Sequence, residues 1–172
     1  EFMGQAYFSG EGVRKNPKLG AEWFRKAADQ GAVKAQYMLG MLYHEGVGVS
    51  KDNAESVRWY RRAAEQGFAL AQLKVSLAYF KGRGVTRDLK KTVEWLHRAA
   101  AQGLAGAQYA LGRFYLNGIG VPESTEEAIK WLRLAAEQGD DDSQLLLGKI
   151  LSAKDDKEEA VSWFRKAADQ GN

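Results

Sequence analysis

The stretch Asp52-Asn53-Ala54-Glu55-Ser56-Val57-Arg58-Trp59-Tyr60-Arg61-Arg62-Ala63-Ala64-Glu65-Gln66-Gly67 decides the fold. Asp52 carries a side-chain oxygen that can accept a hydrogen bond from the free N–H groups of a helix start. Gly67 is the residue best suited to the left-handed turn that ends one. Between them Val57, Tyr60, Ala63 and Ala64 recur around Trp59 at three- and four-residue spacing, as on one face of a helix. The pattern is not unique. Trp23, Trp59, Trp95, Trp131 and Trp163 stand at intervals of 36, 36, 36 and 32 residues. Each is followed by Phe24, Tyr60, Leu96, Leu132 or Phe164, then by an Ala pair (Ala27-Ala28 in the first copy), then by a closing Gly at 31, 67, 103, 139 and 171. Seven residues before each Trp stands a capping residue: Asn16, Asp52, Asp88, Ser124 or Asp156. Pro17 follows Asn16 at a first helical position, where its missing N–H costs nothing. Ser124 with Glu127 spells a capping box. Helices of this kind, designated B, are therefore expected over 16–30, 52–66, 88–102, 124–138 and 156–170.

Between each closing Gly and the next cap lies a second helix, A, whose columns also repeat. Leu39, Val75, Leu111 and Leu147 align, as do Gly40, Ser76, Gly112 and Gly148, and then Tyr43, Tyr79, Tyr115 and Leu151. A glycine inside a helix costs ~1 kcal/mol against alanine, so its recurrence predicts a neighbouring helix crossing at close range. Four copies end in Gly-x-Gly-Val, as at Gly46 to Val49. Of the 19 glycines only Gly20 and Gly106 fall outside the repeat columns, so glycine is structural punctuation here. The Gly-x-Gly segments follow helices, not strands, which excludes a dinucleotide-binding reading.

Composition narrows the function classes. Among 172 residues, 27% are charged and 45% hydrophobic, and the net charge is +3. These are ordinary globular values, too weakly basic for a nucleic-acid footprint. There is no Cys, which removes disulfides, thiol catalysis and cysteine-ligated zinc. No apolar run reaches the ~20 residues that span a bilayer. His44 and His97, the two histidines, sit in different helices at different columns, and Asp140-Asp141-Asp142 reads as a solvated helix start. The residues therefore offer no catalytic group, no metal site and no cofactor site. Arg25-Lys26, Arg61-Arg62 and Arg165-Lys166 lie near the ends of B helices, where positive charge is favoured. The five Trp residues, repeating beside the Ala pair, read as core between helices, together with Leu39, Leu111, Leu147, Tyr43, Tyr79 and Tyr115.

The consensus Ala-x-x-x-Leu-Gly-x-x-Tyr-x-x-Gly-x-Gly-Val, then Ala-x-x-Trp-aromatic-Arg/Lys-x-Ala-Ala-Glu-Gln-Gly, resembles the Sel-1-like repeat, a relative of the tetratricopeptide repeats. The resemblance covers Met3 to Gly171. It implies an all-α, right-handed superhelix of antiparallel helix pairs, with helix A on the concave side and helix B on the convex side. It also implies an adaptor or scaffold role in multiprotein assemblies. It favours a bacterial source and a periplasmic or secreted location, with the cytoplasm left open. Two departures stand out. The residue after the closing Gly is Ala32, Phe68, Leu104 or Asp140, so only the last can cap helix A by its side chain. The fifth copy lacks the Gly-x-Gly-Val loop and should form a tighter hairpin. One repeat domain is expected over 3–171, with a truncated unit 3–31, full units 32–67, 68–103 and 104–139, and a shortened unit 140–171. Neither end looks like the polar capping unit of a solenoid, so the chain reads as a fragment of a longer protein.

Helical spacing leaves one face of helix A outside the packing columns. It carries Lys34, Tyr37, Met41 and His44 in the second copy, and Leu73, Leu77, Phe80 and Lys81 in the third. Tyr109, Arg113 and Leu116 follow in the fourth and Lys149 in the fifth. An apolar stripe rimmed by Lys81 and Arg113 suits a peptide or helix of another protein, with Phe80 as the expected anchor. Tyr37, Leu73 and Tyr109 have an equal claim as packing between successive A helices. The expected partner is thus a protein or peptide, without nucleic acid and without membrane insertion. A carbohydrate-binding or envelope-associated enzyme domain is the alternative, and a helical-repeat nucleic-acid binder comes last.

Overall fold

A computed structural model describes residues 2–170. Among these residues every regular element is an α-helix: α1 (Phe2–Ser9), α2 (Pro17–Asp29), α3 (Val33–Glu45), α4 (Asn53–Glu65), α5 (Ala69–Lys81), α6 (Leu89–Ala101), α7 (Ala105–Leu116), α8 (Thr125–Glu137), α9 (Asp141–Ala153) and α10 (Lys157–Asp169). The chain divides after Asp88 into two compact units, holding α1 to α5 and α6 to α10. Within each unit every helix packs on the next in sequence.

The helix starts are fixed by the expected caps. Asn16 accepts from the Leu19 N–H at 3.1 Å, Asp52 from Ala54 and Glu55, Ser124 from Glu127 and Asp156 from Glu159. The capping box at Ser124 forms only by half. The Ser124 N–H already donates to the Tyr115 carbonyl at 2.9 Å, so the Glu127 carboxylate pairs with Lys130 instead. The same backbone bond joins Asp52 to Tyr43 and Asp88 to Tyr79, and at Asp52 it ties the start of α4 to α3. Ala32, Phe68 and Leu104 make no side-chain cap, whereas Asp140 accepts from Ser143 at 2.8 Å. The shortened fifth hairpin turns through Asp155, the one non-glycine with positive φ among the described residues. Gly171, the fifth closing glycine, lies outside the described residues.

Glycine 40 shows why its column is small. A Cβ there would lie 2.6 Å from a Tyr60 ring carbon, so α3 crosses α4 with the ring laid against bare backbone. Gly148 meets Phe164 in the same way at 2.7 Å. The residue after Trp in the sequence is thus the one that demands the glycine.

In the first unit Trp59 packs on Ala21, Phe24 and Ala28 of α2 and on Ala35, Leu39 and Leu42 of α3. In the second Trp163 packs on Leu132 and Ala136 of α8 and on Leu147 and Leu151 of α9. Each of these Trp rings therefore lies on the preceding helix pair. Trp59, Trp95 and Trp163 are buried, as are Leu39, Leu111, Leu147 and Tyr79, while Tyr43, Tyr115 and Trp131 are half-buried. Trp23 corrects the expectation that all five Trp are core: it is 36% exposed. No helix pair precedes it among the described residues, so the surface that Trp59 uses has no counterpart for Trp23.

Two columns do work that the sequence reading assigned differently or missed. The basic residues near the B-helix ends stack on the Trp column: Lys26 on Trp23, Arg62 on Trp59, Arg98 on Trp95 and Lys166 on Trp163. Leu134 takes that place beside Trp131, whose ring instead meets His97 edge-on at 5.5 Å. Cation–π attraction, worth ~0.5–1 kcal/mol at exposed sites, thus accounts for these residues better than helix-end charge alone. The second column is glutamine. Gln36, Gln72, Gln108 and Gln144 are buried, and each donates its amide to the carbonyl of an Ala pair (Ala28, Ala64, Ala100 and Ala136) at 3.0–3.2 Å. Gln66, Gln138 and Gln170 then donate to Gln36, Gln108 and Gln144. Buried amides are acceptable only when satisfied, and this ladder satisfies them from repeat to repeat.

Candidate protein-docking groove

The first unit contains a cavity of about 170 Å³ walled by α3, α4, α5 and the loop after α5. Helix α4 supplies Asn53, Ser56, Val57 and Tyr60, α5 supplies Lys74, Leu77, Ala78 and Lys81, and His44 and Arg83 close the ends. Lys74, Leu77, Ala78 and Lys81 share a face because they are spaced by three, four and seven. The wall beyond α5 is held by Gly84, with φ +74° and no room for a side chain: a Cβ would lie 2.2 Å from the Asn53 carbonyl oxygen.

The polar groups of this cavity differ in how well they are satisfied. Ser56 donates to the Gly40 carbonyl at 2.7 Å. Burial holds the Tyr60 hydroxyl well above the ordinary phenol range, helped by Tyr37 and the Glu45 charge and opposed by its bond with Ser56. Tyr60 is therefore a neutral donor at physiological pH. Asn53 Oδ1 is buried and accepts no hydrogen bond. Lys74, Lys81 and Arg83 make no ion pair with another described residue. By contrast, Arg58 and Arg61, outside the cavity on α4, pair with Glu55 at 2.9 Å and Glu65 at 3.4 Å.

Of the positions expected to face a partner, His44, Leu77 and Lys81 line this cavity, and Leu77 is 38% exposed. Tyr37 does not: its ring packs on Tyr60 at 5.6 Å and Phe68 at 5.1 Å, so it is half-buried packing. Phe80, the expected anchor, lies outside the cavity half-buried, with the Arg87 guanidinium over its ring at 6.0 Å. Lys34 is exposed, and Met41 and Leu73 are half-buried. In the second unit Tyr109 and Leu116 pack against the core; Tyr109 thus follows the packing alternative open to its column, and Leu116 corrects its assignment to a free face. Arg113 lies over the Tyr109 ring at 5.7 Å, and Lys149 is exposed. Lys74 and Arg83 were missed, although the columns carried a signal. Lys74 stands where the other copies have Met38, Ala110 and Leu146.

Among the described residues no cluster of His, Asp or Glu could hold a metal, and no helix is long and apolar enough to cross a membrane. A sugar site would need tryptophan rings open in a cleft, yet Trp59, Trp95 and Trp163 are buried and Lys26 stacks on Trp23.

The Sel1 repeat family matches the chain at residues 1–31, 33–68, 69–104, 105–140 and 143–172. The chain belongs to the Sel1 repeat family. This fold is typical of protein–protein interaction scaffolds. A protective antigen present in uropathogenic Escherichia coli strains, which displays the same repeat fold, is 39% identical with a TM-score of 0.97. That match covers 99% of this chain and 38% of the antigen, so the chain spans well under half of that relative. A Sel1 repeat protein from Oxalobacter formigenes is 37% identical with a TM-score of 0.92, over 99% of this chain and 72% of that one. Cysteine rich protein B of Helicobacter pylori shares the fold at 22% identity and a TM-score of 0.57, over 72% of this chain and 93% of that one. A search of curated proteins finds no match.

Proposed function

We propose that this Sel1 repeat chain is a scaffold that docks a segment of another protein in the groove between α3 and α5, with α4 as its floor. The observation that carries the reading is the cavity itself, with exposed Leu77 and unpartnered Asn53 Oδ1 at one place. The cavity sets an apolar wall of Val57, Leu77 and Ala78 among convergent polar and basic groups, and such convergence of polar groups is what fixes a ligand's orientation. Among the exposed large hydrophobic residues (Trp23, Val47, Leu70, Leu77, Leu134 and Val161), Leu77 is the one that lines this cavity. His44, Leu77 and Lys81 are the contact residues in this reading. No chemistry is assigned to it, since the groove groups bind and orient and do not form a nucleophile–base pair.

A photo-crosslinking residue in place of Leu77, compared with one in place of Arg58, tests the reading in bacterial cells. Crosslinks to one discrete protein from position 77 and none from position 58 are expected. The reverse pattern would place the binding surface on the outer face of α4 and refute the groove.

A further inference from the structure

We infer that the groove takes an acidic peptide segment bearing one apolar side chain, a reading that rests on the groove being a protein-docking site. The first observation is charge. Lys74, Lys81 and Arg83 surround the cavity without an ion pair among the described residues, and none of the ten lining residues is a carboxylate. Elsewhere on α2 and α4 Arg58 and Arg61 pair with glutamates, Arg62 with Asp29 and the Trp59 ring, and Lys26 stacks on Trp23.

The second observation is that the repeat does not ask for these cations. Other copies place Met38, Ala110 and Leu146 in the Lys74 column. They place Ser9, Glu45 and Asn117 in the Lys81 column, and Glu11, Val47 and Ile119 in the Arg83 column. Three columns that are apolar, polar or acidic elsewhere turn basic in one repeat, around one cavity. The repeat's shared packing columns lie elsewhere, so the repeat itself does not call for these cations.

The third observation selects a peptide among anions. Val57, Leu77 and Ala78 supply an apolar wall, which suits a side chain carried on a peptide and gives nothing to a bare inorganic anion. A space of about 170 Å³ is of the order that holds one aromatic ring or one leucine side chain. The segment thus sets an apolar side chain between α4 and α5 and lays flanking carboxylates against Lys74, Lys81 and Arg83.

The test is fluorescence anisotropy with the full chain and four labelled probes. These are the peptide Asp-Glu-Glu-Leu-Glu-Asp, its neutral form Asn-Gln-Gln-Leu-Gln-Asn, the acidic form with Gly for Leu, and a single-stranded oligothymidine. The first peptide is expected to bind about tenfold or more tighter than either other peptide, and more weakly as salt rises. Replacing Lys74, Lys81 and Arg83 together by Gln should weaken it about tenfold, with the helical circular dichroism unchanged. Replacing Arg58 and Arg61 by Gln should leave it unaltered. Equal binding of the neutral peptide overturns the acidic assignment and leaves protein docking in the groove intact. Acidic-peptide binding that ignores the triple substitution overturns the site. Preference for the oligonucleotide, or binding of none of the probes, overturns the proposal outright.

Discussion

Truncating Trp59 and Trp23 to alanine separates burial from every other property of the tryptophan column. Both rings carry a stacked cation, Arg62 at 4.5 Å and Lys26 at 4.8 Å, so that contribution is lost equally from each. Both lie in the first compact unit, so one unfolding transition reports both even where the two units melt separately. They differ in what lies beneath them. Trp59 is 3% exposed and sits on α2 and α3; Trp23 is 36% exposed. Truncation at 59 removes about 150 Å² of buried apolar surface, which at ~25 cal/mol/Å² is ~4 kcal/mol. A closed cavity beneath α4 keeps the loss in the ~3–5 kcal/mol range. At Trp23 water fills the space directly, and ~1–2 kcal/mol is expected. Urea unfolding followed by circular dichroism, with a slope of ~2 kcal/mol/M, should show the Trp59→Ala midpoint lowered by about 2 M and the Trp23→Ala midpoint by less than about 1 M. Equal shifts would refute the argument that each Trp is buried by the pair before it.

Replacing Gln144 by Leu removes its bonds with the Ala136 carbonyl and the Gln170 amide, while the carbonyl keeps the Gly139 N–H, and should cost ~1–2 kcal/mol in an unfolding titration, more than Gln170→Leu. Gly40→Ala drives a methyl into the Tyr60 ring and should destabilise by ~1–3 kcal/mol. In a Tyr60→Ala background the same change should turn neutral or stabilising, as helix propensity then decides it. Burial holds the His97 imidazole below its ordinary pKa, with the Glu127 charge acting the other way. The unfolded chain therefore binds the proton first as pH falls through about 6.5. Stability present above that pH is lost progressively until the folded imidazole also titrates. The His97→Gln chain should lose this slope in unfolding experiments between pH 7.5 and 5, as should no replacement of exposed His-free surface.

The fold was legible because its determinants are local and repeated. Caps at Asn16, Asp52 and Ser124, the closing glycines and the Trp–aromatic–Ala-Ala spacing all act within one helix or one hairpin. The partner of Gly40 was legible only as "something close", because Tyr60 reaches it through the crossing of two helices and not through sequence proximity. The glutamine column repeats as plainly as the tryptophan column, yet a polar residue on a helix does not announce burial until a carbonyl such as Ala28 is seen beneath it. Trp23 was misjudged because periodicity treats all copies alike, whereas burial depends on having a neighbour. The groove was half legible. Leu77, Lys81 and His44 followed from helical spacing, but Asn53, Ser56 and Tyr60 come from α4, whose outline as a structural helix concealed its contribution. Leu116 was assigned outward by the same spacing and turns out to pack on the core, as does Tyr109, which that spacing had left open. A three-residue step along a helix is about 60° short of a full turn, too coarse to separate a groove wall from a packing edge.

If the groove binds as proposed, Lys74 is where folding and binding make opposite demands, and it allows them to be told apart. Its column is otherwise Met38, Ala110 and Leu146, all half-buried, so packing alone favours an apolar side chain there. Lysine instead stands exposed at the cavity, without an ion pair among the described residues. A residue kept against the preference of its column is the kind that trades stability for function. Lys74→Met should therefore leave the urea midpoint unchanged or raise the stability by ~0.5–1 kcal/mol. The same substitution should weaken the acidic peptide, with a shallower salt dependence than the parent chain shows. Opposite signs in the two measurements would identify Lys74 as a binding residue held in a structural column. Should Lys74→Met lower the midpoint and leave the peptide affinity as it was, the lysine stem is packing, and its place at the groove has no bearing on what the groove binds.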